Sequence, residues 1–308
     1  MDPGVCSNPY HLILEGFMKR ILAILLTALC LVAPIFAQAQ LETSTTDEDL
    51  RIVSLAPNIT EIIYALGAGD ELVGRTDYCN YPEQALDVPS IGTLWEPNLE
   101  LVVSLEPTIA IASSIVDPSF IESLNKAGIK TVQILKEESL DGTFELIQEV
   151  GDAIGRTSEA KELVAGMKDR INAVTEITSK IPEDQKKSAV YIISWGDWGD
   201  FAATGDTYLE GVLEAAGAVN AAKDASNWSI SKELLISQDP DVVILPRYSY
   251  SDSQSDILAF TTTEPYSKLG ASVNSHVYAI NGDAAERQGV RTADTIEEIA
   301  KLLYPELF

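Results

Sequence analysis

The chain reads as an α/β protein. It is expected to form two Rossmann-like lobes, each on a central parallel-type sheet, joined by a single long helix, with a ligand cleft between the lobes. Three observations predict this. Short aliphatic runs alternate with amphipathic stretches, the mark of β/α alternation and a doubly wound sheet. The alternation restarts at Ser188, 137 positions after its start at Arg51 (188 − 51 = 137). Between the halves lies RTSEAKELVAGMKDRINAVTEITSK (156–180), which has no proline and carries Leu163, Met167, Ile171, Val174 and Ile177 at helical spacing.

The elements follow in order. RIVSLAP (51–57) predicts a strand and a breaker, and NITEIIYALGAG (58–69) a helix with Asn58 as N-cap, Glu61 completing a capping box and Gly67 closing it. ELVGR (71–75) and VPSIG (88–92) predict strands. NLELVVSLEP predicts a helix, TIAIA (108–112) a strand, DPSFIESLNKAG (117–128) a helix and KTVQIL (130–135) a strand. After the long helix, Pro182 and a charged loop, SAVYIISWG (188–196) predicts a strand and TYLEGVLEAAGA (207–218) a helix. SKELLISQDP and DVVILP predict a further helix and strand, HVYAING (276–282) a last strand, and TADTIEEIAKLLYPELF a closing helix. The expected domains are 51–155, the linking helix 156–181, and 182–308.

The start of the chain predicts export rather than fold. Met18-Lys19-Arg20, the apolar run ILAILLTALCLVAPIF and Ala37-Gln38-Ala39 have the form of a secretory signal with an A-x-A cleavage site. Met18 is expected to be the natural start, with residues 1–39 expected to be an upstream extension and signal peptide. Residues 40–50 form a polar tether. Lipid attachment at Cys30 is the alternative route, although Leu29 stands where a small residue is usual.

Composition narrows the function. The net charge of −26 opposes binding to nucleic acid or to an anionic membrane surface. After cleavage near Ala39, Cys79 and His276 would be the remaining cysteine and histidine. That leaves no internal disulfide and no histidine cluster for zinc, so a metal would arrive inside a chelate. His276 is expected to be structural, and Cys79 a small buried residue. The chain is expected to be a monomer without a cofactor of its own.

One unit occurs twice. NLELVVSLEPTIAI (98–111) and SKELLISQDPDVVI (231–244) share a cap-like residue, Glu-Leu, aliphatics, Ser, an acid, Pro and an aliphatic run. Glu100 and Glu233 lie 133 positions apart (233 − 100 = 133), each in the first turn of a helix. One such carboxylate merely complements the helix dipole, for about 0.3–1 kcal/mol. A matched pair, one per lobe, suits docking on a partner with two basic pockets.

The tryptophans fall in connections. Trp95 precedes the Glu100 helix, Trp228 precedes the Glu233 helix, and Trp195 and Trp198 with Phe201 lie just past a strand end. Tyr78 and Tyr81 follow another strand, and Tyr248 and Tyr250 are further candidates. Aromatic residues in such loops predict a shared cleft for a large, flat or bulky ligand, or a sugar; ordinary loop packing is the alternative. Arg287 and Arg291 are placed to bind an anionic or amide-bearing ligand, or to pair with Asp283 or Glu286.

RIVSLAPNITEIIYALG, GTLWEPNLELVVSLEPTIAIA, the long helix and SNWSISKELLISQDPDVVIL, taken in order, resemble the helical-backbone class of periplasmic substrate-binding proteins. These serve ABC importers for iron–siderophores, haem and cobalamin. The resemblance runs from about residue 50 to 304. It is nearest to the cobalamin-binding members: Tyr78 in YCNYP, Trp95 (displaced by one position), Trp228 and Arg287 match their cleft residues. The resemblance also implies that Glu100 and Glu233 meet arginines on the permease dimer, which works with an ATPase, and that the ligand is a cobalt corrinoid or another metal chelate. A ferric siderophore or haem is the alternative ligand, with Tyr78 as a possible axial group for haem. From another class, Glu100 and Glu233 could act as the paired carboxylates of a secreted hydrolase, if they lay close together.

Overall fold

A computed structural model describes residues 50–308. The signal peptide, Cys30 and all of the tether but Leu50 lie outside the described residues.

The first sheet has four parallel strands in the order β2-β1-β3-β4: β1 (Ile52–Ser54), β2 (Leu72–Arg75), β3 (Ile109–Ala112) and β4 (Lys130–Gln133). Helices α1 (Pro57–Ala65), α2 (Leu99–Ser104) and α3 (Pro118–Lys126) connect them. After α4 (Leu140–Ala153) comes the long helix α5 (Thr157–Thr178), which buries Ala160, Met167, Ile171 and Val174.

The second half contains β5 (Ser188–Ser194), β6 (Asp200–Ala202), α6 (Tyr208–Ala215), β7 (Val219–Asn220), β8 (Ser229–Ile230), α7 (Lys232–Gln238), β9 (Val242–Arg247), α8 (Ser253–Thr262), α9 (Gly270–Val273), β10 (Val277–Asn281), α10 (Gly282–Glu286) and α11 (Thr292–Leu303). Its parallel strands run β7-β5-β9-β10, the order of the first sheet repeated. The offsets agree: α7 begins 133 positions after α2 (232 − 99), and β9 begins 133 after β3 (242 − 109). The acid that ends each repeated unit also adopts the same rare conformation. Glu106 has φ 47° and Asp239 φ 41°, both left-handed, each directly before a proline that cannot continue a helix.

Some expectations need correction. The first helix begins at Pro57 with Ala56 as N-cap, so Asn58 lies inside it and makes no capping box with Glu61. Proline at the first helical position suits a missing N–H that would be an orphan anyway. VPSIG is not a strand; residues 90–97 contribute only the isolated bridges Arg75–Ser90 and Gly92–Pro97. The segment after β5 turns back as antiparallel β6, which in turn pairs with β8. Gly196 (φ 126°) and Gly199 (φ 111°) make that reversal in a region closed to residues with a Cβ.

The larger apolar cluster passes beneath both sheets. It joins Ile52, Val53, Ile109 and Ile111 to Ala189, Tyr191, Val242 and Ile244. The alternate residues of the second sheet, Val190, Ile192, Val243 and Leu245, face a second cluster with Phe260 and Tyr266. The period of two is the pleat of a sheet buried on both faces. The first cluster makes the two lobes share one core, and Arg170 on α5 adds bonds to Asp294 (2.6 Å) and Glu297 (2.8 Å) on α11.

Candidate ligand-binding cleft

In open α/β sheets, ligands bind beyond the carboxyl ends of the strands. Those ends carry several of the large apolar side chains that are exposed among the described residues. On the first lobe, Tyr78 follows β2, Ile115 follows β3 and Leu135 follows β4, all exposed. Trp95, 66% exposed, packs edge-on against Tyr78 with ring centroids 5.3 Å apart. On the second lobe, Trp195 and Trp198 follow β5, Phe201 lies on β6, and Tyr248 and Tyr250 lie at and beyond the end of β9. Tyr248 and Tyr250 stack at 5.1 Å with planes 7° apart.

Two cavities lie at these strand ends, and neither is lined by Tyr78 or Trp95. One of about 310 Å³ is lined by Asn80 and Tyr81 from the first lobe and by Arg247, Tyr248, Asn281 and Asp283 from the second. The other, about 280 Å³, is lined by Trp195, Tyr248, Tyr250 and Asp256 among others. They share Tyr248 and Ser251. A larger cavity of about 680 Å³ lies elsewhere, among α4, α5 and α6. It takes none of the aromatic candidates and sits away from the strand ends.

The predicted residues thus fall into groups. Tyr78 and Trp95 form one wall; Trp195, Tyr248 and Tyr250 form the other. Trp198 is 97% exposed at the tip of the 196–199 turn. That turn is braced from below: Asp200 accepts from the Gly196 amide (3.2 Å) and the Tyr266 hydroxyl (2.6 Å), and Lys232 donates to the Gly196 carbonyl (2.9 Å). Phe201 is exposed beside it on β6. Trp228 is half-buried against the main core, with left-handed backbone (φ 58°), and lines neither of the two cavities. Ile115 and Leu135 were not anticipated; Ile115 lies just past one predicted strand, and Leu135 is the last residue of another, which ends in the structure at Gln133.

Arg287 commits both terminal nitrogens within the protein. Nη1 donates to Glu61 (2.9 Å) and Asn80 (2.8 Å), and Nη2 to the Tyr78 carbonyl (3.1 Å) and Asp283 (2.7 Å). Arg291 donates to both oxygens of Glu61, at 2.7 and 2.6 Å, and lies over the Tyr81 ring at 4.4 Å. Pairing with Asp283 was foreseen; pairing with Glu61, 226 positions upstream, was not. Glu286 instead accepts from Tyr191 (2.9 Å) and Tyr248 (2.7 Å). Burial pushes the Glu286 carboxyl above its ordinary range, the two tyrosine bonds opposing it. Burial, then the bond to Glu286, pushes the Tyr248 hydroxyl well up, so Tyr248 stays a phenol.

Glu100 and Glu233 are exposed, each at the second position of its helix. Asn98 Oδ1 accepts from the Leu101 amide (3.1 Å), and Ser231 Oγ from the Leu234 amide (3.1 Å). Each cap contributes about 1 kcal/mol and aligns the first turn that presents the carboxylate. Cys79 is buried with its thiol pushed up by burial, against Thr76 at 3.2 Å. His276 makes a backbone contact to the Asp241 carbonyl at 3.3 Å. Among the described residues, no group of three or more His, Cys, Asp and Glu could hold a metal ion.

Residues 52–284 match the family described as "Periplasmic binding protein". The chain is 30% identical over 266 residues to the uncharacterized ABC transporter substrate-binding lipoprotein YvrC of Bacillus subtilis, covering 85% of this chain and 82% of that one. It is 28% identical to a cobalamin-binding protein of Halobacterium salinarum, covering 83% and 70%. Among solved structures it resembles the apo periplasmic heme-binding protein RhuT from Roseiflexus sp. RS-1, with a TM-score of 0.72, 25% identity, and coverage of 84% of this chain and 99% of that one.

Proposed function

The chain belongs to the periplasmic binding protein family, and from that premise we propose which chelate it captures and how it docks. It is an extracytoplasmic, non-catalytic component of an ABC importer, related to cobalamin- and haem-binding families, that binds a bulky metal chelate and works with a permease and ATPase. Our reading of the ligand is a metal tetrapyrrole, with haem first. Two aromatic pairs carry this reading: Tyr78 with Trp95 on one lobe, and Tyr248 stacked on Tyr250 on the other. Flat rings on both sides bury a flat macrocycle by apolar contact and stacking. Tyr78 is exposed at its strand end, which leaves its phenol open to a ferric iron. Tyr248 is committed to Glu286. The heme-binding neighbour RhuT supports this order.

A corrinoid is the second reading, favoured by one observation. Arg287 and Arg291 are paired with Glu61, and the two cavities are lined by Asp283 and Asp256 together with Arg247 and Arg291. That mixed lining, with Asn80, Asn281 and Ser251 offering amide and hydroxyl partners, suits an amide-rich corrinoid. The Halobacterium relative points the same way.

Glu100 and Glu233, one on each lobe, dock on the permease dimer in this reading, and the protein acts as a monomer. The test is parallel titration of the purified protein with hemin, cyanocobalamin and ferric siderophores, followed by tryptophan quenching and visible absorbance. Saturable hemin binding with a shifted Soret band, lost in Tyr78→Phe, supports haem. Saturation by cyanocobalamin alone moves the ligand to the corrinoids. A response to siderophores alone refutes the tetrapyrrole.

A further inference from the structure

One polar cluster ties the Tyr78 loop to the second lobe; its Asn80, Asp283 and Arg291 line the 310 Å³ cavity, whereas Glu61 and Arg287 line neither cavity. Glu61 lies on α1 of the first lobe, and its side chain is only 2% exposed. Arg287 (13%) and Arg291 (8%) follow α10 of the second lobe. Three charge-assisted bonds of 2.6 to 2.9 Å join them across the lobes.

Each end of this cluster reaches a cavity wall. On the first lobe, Arg287 holds the Tyr78 carbonyl and the Asn80 side chain, and Asn80 Nδ2 donates to Asp283 at 2.9 Å. The loop that carries Tyr78 and Tyr81 is therefore pinned to the second lobe. On that lobe, the neighbouring Glu286 receives the Tyr248 hydroxyl, and Tyr248 carries Tyr250 by stacking. One short segment, 283–291, thus sets the position of both walls.

We propose that Glu61 and Arg287 are positioning residues: they fix the separation of the aromatic walls across the lobes and do not bind the ligand. This rests on the tetrapyrrole reading only for the choice of probe. Arg287 has two donor groups committed to four protein acceptors, and a ligand anion would have to displace Glu61 or Asp283 to reach them. A carboxylate shared by two arginines at this depth is costly to break, so the walls keep one spacing.

Arg287→Met is the first variant, because it leaves the Arg291–Glu61 pair intact and the fold supported. Glu61→Gln is the second; it keeps the shape and removes the charge. Two readouts separate positioning from contact. Binding is measured for hemin and for hemin dimethyl ester, which lacks the two carboxylates. Residues acting through a network without touching the ligand change affinity by about 3- to 30-fold. Both probes are expected to weaken by the same factor in that range. Amide hydrogen exchange over residues 76–82 and 283–291 of the unliganded protein is expected to rise, with little change in α3 or α8. If Arg287→Met weakens hemin but spares the ester, Arg287 is a ligand contact and the proposal fails. Unchanged exchange at 76–82 overturns it as well. Should the wild-type protein bind neither probe, the haem reading fails, and the exchange data alone decide the positioning role.

Discussion

Replacing Glu61 by Ala should be among the most destabilising surface-free substitutions in this protein. Its carboxylate accepts two bonds from Arg291 and one from Arg287 and is all but sealed from water. Arg287 keeps Asp283 at 2.7 Å when Glu61 is lost. Arg291 keeps no carboxylate in contact, only the face of Tyr81. The cost is therefore that of one uncompensated buried cation, about 3–5 kcal/mol. In a chain of this size each kcal/mol moves the melting temperature by roughly 2–4 °C, so the fall should be roughly 6–20 °C. Arg287→Met, which loses bonds to charged groups but strands a smaller charge, should cost less, about 1.5–3 kcal/mol. The double variant Glu61→Leu with Arg291→Met removes both charges together and should recover most of the loss, since apolar replacement of a buried pair is often neutral or better. Urea unfolding followed by circular dichroism, arranged as a double-mutant cycle, measures all of these. A Glu61→Ala cost below about 1 kcal/mol would place the pair among exposed ion pairs and refute the reasoning.

Three other outcomes are expected. Glu100→Ala together with Glu233→Ala should abolish uptake in cells while leaving ligand affinity and melting temperature nearly unchanged, because both side chains are exposed; lost affinity in vitro would contradict the docking role. Burial raises the folded-state Glu286 carboxyl, so the folded form binds the proton more tightly. Stability from this group is fully present below the unfolded value near 4.5 and declines as pH rises through the raised folded value. Wild type should thus gain on Glu286→Gln as pH falls from 7 toward 4.5, and a gap that is flat with pH in chemical denaturation would count against it. Buried Cys79, with its thiol raised by desolvation, should resist alkylation in the folded protein and react on unfolding, read by mass spectrometry of the peptide that contains it.

Local signals were legible in the sequence and distant ones were not. Asn98 and Ser231 could be assigned as caps because capping is decided within four residues, and the placement of Glu100 and Glu233 followed from that. The β/α alternation and the long helix were legible for the same reason: each is a periodicity along the chain. Glu61 shows the opposite case. Three residues after Asn58 it mimics a capping box, yet its partners lie 226 and 230 positions away. The outcome at Arg287 was equally hidden, since an Asp four residues back was visible and the opposite lobe was not. The return of β6 against β5 depended on two glycines with positive φ, which a strand-and-helix reading passes over as a loop.

The strand ends and the core divide the labour in this fold. Tyr78, Trp95, Ile115, Leu135, Trp198 and Tyr250 are absent from both apolar clusters that hold the sheets together. Exchanging any of them removes no packing from beneath the sheets, so mutation can sample new linings at almost no risk to folding. Such a chassis can be refitted for a different cargo by a few substitutions at the tips of its strands, while the frame that spaces the two glutamate helices stays as it is.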